Sequence, residues 1–127
     1  MKRFAAFLLV LAFTTACGGV DRSLAIETCA LISGMNDPVP NPRAGQPLNL
    51  PPNFPTIPGF EPREPDFVGP SEAELRSRIA AARSRAAASG DEGLQRLSDA
   101  MRVSRDSDGR PRVYVAPILP YCAQQGW

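Results

Sequence analysis

PSEAELRSRIAAARSRAAASGDEGLQRLSDAM, residues 70–101, decides how the rest of the chain is read. Pro70 and Ser71 stand before Glu72 and Glu74, with Ser71 and Glu74 spaced as a capping box. Leu75, Ile79, Ala82 and Ala86 then recur on one narrow helical stripe to about Ala88. Ser89-Gly90-Asp91-Glu92 repeats the S-x-x-E signal, and Leu94, Leu97 and Met101 mark a further helix that frays near Val103. With almost no linker between them, the two helices are expected to form an antiparallel hairpin or a sharp bend.

On the N-terminal side, Leu24, Thr28 and Leu31 and, beside them, Ala25, Cys29 and Ile32 have helical spacing from about Ser23 to Ser33. Gly34 and Asn36 stop that helix, and Pro38 follows. On the C-terminal side, Asp106-Ser107-Asp108-Gly109 is a turn signal leading into the β-type run Arg112-Val113-Tyr114-Val115. Val103 to Arg105 can pair back across that turn, and Pro111 confines the strand to an edge. Pro117 and Pro120 end the run, and a polar tail follows Tyr121 and Cys122 to Trp127.

Residues 36–70 hold 11 of the 14 prolines. Pro52, Pro55 and Pro58 recur every three residues, the period of a polyproline II helix. Phe54, Phe60 and Phe67 lie in the same segment with Leu48, Leu50, Ile57 and Val68, whereas disordered spacers are depleted in aromatics. The segment is therefore expected to be an extended strap packing its apolar residues across the helices. A stretch this long without regular structure is unusual inside a small domain and marks the strap as functional or partly disordered.

The chain of 127 residues has 14 Lys plus Arg against 13 Asp plus Glu, and no His. Near-neutral charge disfavours nucleic acid as a partner, since phosphate neutralisation needs a basic excess. The missing His removes Ser-His-Asp and Cys-His nucleophile pairs and every His-ligated metal site. The only Lys is Lys2.

Met1-Lys2-Arg3 is a short basic start, followed by an uncharged run whose strongly apolar part ends at Phe13. That run is too short to span a bilayer, which takes about 20 apolar residues, and it fits an export signal. Thr14-Thr15-Ala16-Cys17 resembles the lipobox of bacterial lipoproteins, with Thr14 standing where that class usually has Leu. The resemblance implies cleavage before Cys17, a diacylglyceryl group on its thiol, and membrane anchoring through acyl chains such as palmitate. Two or three chains bury dozens of methylenes at about 0.8 kcal/mol each, enough for a stable anchor. Thr14-x-Ala16 also suits a soluble-release peptidase, so a secreted protein is the competing reading. Gly18 stands where an Asp would retain the lipoprotein at an inner membrane. The resemblance thus implies the outer membrane of a double-membraned host, or the outer face of a single cell membrane. It covers the signal only.

On this reading residues 1–16 are a signal peptide, 17–22 a short tether and 23–127 a single small domain. Of the 29 Leu, Ile, Val and Phe residues, seven lie within the signal, so the core is thin and calls for a staple. With Cys17 lipidated, Cys29 and Cys122 have one possible pairing, and an exported protein meets an oxidising compartment. Two buried free thiols are the rival reading, and an unacylated Cys17 would leave three cysteines competing. The expected fold is small and mainly α: three short helices, a long Pro-rich strap and a minor C-terminal β element, held by one disulfide.

Four groups are candidates for function. Arg76, Arg78, Arg83 and Arg85 could face an anion, but Glu72 and Glu74 precede Arg76 and Arg78 at i,i+4, and a solvated face accounts for them. Asp106-x-Asp108-Gly109 resembles part of a calcium loop without the further ligands, so a turn is expected. Glu61, Glu64 and Asp66 could offer paired carboxylates, but on a Pro-rich strap they lack the rigid support that catalysis needs. Pro52, Phe54, Pro55, Pro58 and Phe60 could dock into an aromatic-lined groove on a partner, with packing inside the molecule as the alternative. The expectation is a lipid-anchored envelope protein without catalysis, cofactor or metal. It would touch the membrane through Cys17 and an envelope protein through residues 50–65. A small-ligand-binding lipoprotein is the alternative, and it would need an apolar cavity under the strap.

Overall fold

The structure is a computed structural model describing residues 18–127; the lipobox and the signal peptide lie outside the described residues. Asp21 caps the first helix, α1 (Arg22–Ser33), accepting the amides of Ser23 and Leu24. The Ser23 hydroxyl, then the Leu24 amide, hold the Asp21 carboxyl below the usual carboxylate range. Ala25, Cys29 and Ile32 turn one side of α1 inward, with Thr28 buried beside them and its hydroxyl donating to the Leu24 carbonyl at 2.6 Å. Helix α2 (Glu72–Ser89) meets that side with Leu75, Ile79, Ala82 and Ala86, the stripe expected from sequence. Its small alanines let the two backbones approach closely. Only half of the capping box forms: Ser71 accepts the Glu74 amide, while the Glu74 carboxylate turns to Arg78 at 3.0 Å.

The chain turns at Gly90 into α3 (Glu92–Asp99), capped by Asp91. Ser89 belongs to α2, where its hydroxyl bonds the Ala86 carbonyl, so the second S-x-x-E pattern is not a capping box. As expected, the two helices fold back on one another, and α3 buries Leu94 while Met101 lies buried just beyond its end. Strands β3 (Val103–Arg105) and β4 (Pro111–Val113) form the expected hairpin, in the register Val103↔Val113 and Arg105↔Pro111. Tyr114 and Val115, expected in the strand, lie beyond it.

The polar tail is a fourth helix, α4 (Leu119–Gln125), with Pro120 in its first turn. A proline there loses nothing, because the first helical amides have no partner anyway. Sequence reading took Pro120 as the end of a strand, and three helices become four. Cys122 on α4 is bonded to Cys29 on α1, 93 residues away, with the Cα atoms 6.0 Å apart. The small α-rich fold and its single bridge are as expected.

Gly93, in the first turn of α3, lies under the Tyr121 ring of α4. A Cβ there would overlap the phenolic oxygen and sit 2.6 Å from Cζ. The phenol donates to Asp91 Oδ1 at 2.7 Å, which raises its pKa, and its ring meets Trp127 edge-on at 6.0 Å. Helix propensity alone would make Gly93→Ala stabilising by about 1 kcal/mol. The clash reverses the sign: the variant is expected to lose roughly 1–2 kcal/mol in urea unfolding, and to recover in a Tyr121→Ala background. A stabilising single Gly93→Ala would contradict this packing.

Between α1 and α2 the chain makes a long antiparallel arm. Its base pairs β1 (Val39–Pro40) with β2 (Phe67–Val68), in the register Val39↔Val68. The Asn41 amide donates to Asp66 at 2.8 Å and the Leu48 amide to Pro62 at 3.0 Å, carrying the pairing outward. The Gly45 and Glu64 amides reach across to the Glu64 and Gln46 carbonyls between them. Pro40, Pro42, Pro47, Pro62 and Pro65 lack an amide to donate, so the ladder stays interrupted.

Candidate functional site

The arm carries the candidate partner residues at its tip, where every residue from 51 to 60 is exposed. Phe54 is 50% exposed, Ile57 68% and Phe60 62%, and at the base Phe67 is 62% exposed. This corrects the expected strap. Its aromatic side chains do not cover the helices, because the helices complete their core with their own side chains and those of Met101, Val113, Ile118 and the bridge.

The tip also departs from a continuous polyproline II helix. The Phe54 amide donates to the Pro51 carbonyl at 3.0 Å, and the Phe60 amide to the Ile57 carbonyl at 3.1 Å. The second turn has Pro58 and Gly59 at its centre, with Gly59 at φ 82, the type II pattern in which glycine supplies the positive φ. Pro52, Pro55 and Pro58 therefore shape a doubly turned tip rather than three steps of one helix. Phe54, Ile57 and Phe60 are brought to the same end of the arm.

Ile57 was not singled out among the partner residues. The signal that finds it is the absence of any charged residue from Ala44 to Phe60. Charges begin again on the arm's flanks, where Arg63 pairs with Glu61 at 3.5 Å and Arg43 with Glu64 at 3.8 Å. The three carboxylates considered for catalysis stand on these flanks, with Glu61 and Asp66 exposed and Glu64 half-buried. Such exposed pairs contribute at most about 1 kcal/mol each, and they keep the shaft soluble below an uncharged head.

The remaining candidates serve the fold. Asp106 Oδ1 accepts the amides of Asp108 and Arg110, which closes the β3–β4 turn. Of the arginines, Arg76 and Arg85 make exposed ion pairs with Glu72 and Glu27. Arg78 and Arg83 do not simply face water. Arg78 Nη1 reaches the carbonyls of Gly34, Met35 and Asp37 at 3.0–3.1 Å, past the end of α1. Arg83 reaches those of Ser98, Asp99 and Met101 at the end of α3. Guanidinium groups at helix C-termini satisfy carbonyls that the helix leaves without donors.

A recess of about 500 Å³ lies on α1 and α2, lined by Glu27, Ala30, Leu31, Gly34, Arg78 and Arg85. It is separate from the arm tip, so Phe54 and Phe60 do not roof it. Among the described residues no helix is long and apolar enough to cross a membrane. The chain matches no protein-family model, no curated protein and no solved structure.

Proposed function

We propose that the protein is a lipid-anchored component of the cell envelope that acts without catalysis, binding a protein partner through the tip of its arm. The lipid is carried by Cys17, and the contact residues are Pro52, Phe54, Pro55, Pro58 and Phe60 with Ile57 among them. The observation that supports the reading most is the exposure of Phe54, Ile57 and Phe60 together at the end of an arm that the core does not use. Apolar side chains grouped in this way mark interaction surfaces. Burying them against a partner would gain roughly 1 kcal/mol or more for each side chain.

The test uses the full-length protein in its host. A photoreactive residue at position 57 is expected to give one discrete adduct, and Phe54→Ser with Phe60→Ser to abolish it. The same double change should leave the urea midpoint within about 0.5 kcal/mol of wild type, because neither side chain supports the core. Equal adduct yield from the double variant would refute the assignment. Palmitate labelling tests the anchor: Cys17→Ala should lose the label and release soluble protein.

A further inference from the structure

The Asp21 amide donates to the Ser89 carbonyl at 2.8 Å, so the described chain joins the body at the C-terminal end of α2. Glu27 then meets Arg85 at 3.2 Å, and the Gly34 carbonyl meets Arg78, so α1 runs antiparallel to α2. The arm leaves just after α1 and returns just before α2. Its base therefore stands at the end of the helix pair opposite to Asp21. With 18 residues, α2 separates the two ends by about 27 Å.

Only Gly18, Gly19 and Val20 lie between Cys17 and Asp21. Four Cα steps reach no more than about 15 Å, less than the length of α2. A body held on so short a leash keeps its α2–α3 corner at the surface that holds the leash. The amides of Leu48, Leu50, Phe54 and Phe60 all donate to carbonyls within the arm, and residues 51–60 are all exposed, so the tip is not packed on the helices.

We propose that the anchored protein stands with the α2–α3 corner against its own membrane and the arm directed away. The tip then enters an uncharged, apolar cleft on a protein that faces the anchoring membrane across the length of this one, and not the anchoring bilayer. This rests on the lipid reading of Cys17. The cleft is uncharged because the 17 residues from Ala44 to Phe60 offer it no charge to pair. A short tether, an antiparallel helix pair and an outward arm place anchor and contact at opposite poles.

The experiment places the acylated full-length protein in phosphatidylethanolamine–phosphatidylglycerol vesicles carrying nitroxide-labelled headgroups or brominated acyl chains. Native Trp127 reports the corner, since the Gly126 carbonyl beside it accepts from Arg22 at 3.3 Å. Ile57→Trp in a Trp127→Phe background reports the tip. Headgroup nitroxide is expected to quench Trp127 at least threefold more than the indole at position 57, which stays open to aqueous acrylamide. Quenching at position 57 by brominated chains would overturn the proposal. Protein from the host that fails to float with vesicles would overturn the Cys17 reading itself, and the orientation with it. The adduct formed at position 57 in cells is expected to contain a different protein; a phospholipid or a second copy of this chain would overturn the choice of occupant.

Discussion

Replacing Cys29 and Cys122 together by alanine should lower the unfolding free energy by about 4 kcal/mol, within the 2–5 kcal/mol typical of small disulfide-bridged domains. The bridge spans 93 residues, so cutting it frees most of the unfolded chain. A domain of this size has only about 5–15 kcal/mol in total, and losing a quarter or more of that is severe. The effect should be uneven. Helix α4 is only seven residues long, and Cys122 is its one buried residue. An isolated helix of that length does not persist in water, so its amides should exchange first in the double variant. Urea unfolding of oxidised wild type, reduced wild type and the double variant measures the loss. A difference below 1 kcal/mol would mean that packing alone holds α4.

The second large effect belongs to Asn36. Its carboxamide donates to the Val113 carbonyl at 2.9 Å and accepts the Val113 amide at 2.8 Å. It serves β4 as a one-residue third strand on the edge turned away from β3. Val113 is 3% exposed, so removing the partner leaves two backbone groups unpaired at a part-buried position. Asn36→Ala should cost about 2–3 kcal/mol, since an unsatisfied buried group costs about 1–3 kcal/mol.

Asn36→Asp separates hydrogen bonding from shape. At neutral pH an ionised oxygen would face the Val113 carbonyl and repel it, so the variant should be at least as unstable as Asn36→Ala. Burial beside a carbonyl raises the carboxyl pKa in the folded state, so stability is regained as the pH falls through that raised value. Urea midpoints at pH 7 and pH 4 measure this. A loss below 0.5 kcal/mol for Asn36→Ala would show that the pairing is dispensable.

Asn36 also shows where sequence reading stops. Between Gly34 and Pro38 it reads as a helix stop, and the helix does end there, capped by Gly34. Nothing local tells that its side chain will meet a strand 77 residues later. Arg78 and Arg83 are similar: the i,i+4 spacing of Glu74 to Arg78 is visible, whereas the carbonyls that the two arginines reach lie at or just past the ends of α1 and α3. Helix α4 was missed for another reason. Seven residues are too few for an apolar period to declare itself, and only Pro120 in the first turn marked it.

The candidate site was half legible. Pro52, Phe54, Pro55, Pro58 and Phe60 could be named from composition, but whether they covered the core or left it could not. Three helices and the β3–β4 turn depend on spacing and caps, which the chain carries within itself, whereas the Cys29–Cys122 pairing followed from sequence only with Cys17 set aside for lipid. Exposure of the arm tip, the reach of Asn36 and the placing of the arm base at the end of α2 opposite to Asp21 were decided by the tertiary structure. Burial is a relation between surfaces: an apolar side chain is covered only if something faces it, and here α1, α2 and the bridge had already filled the space.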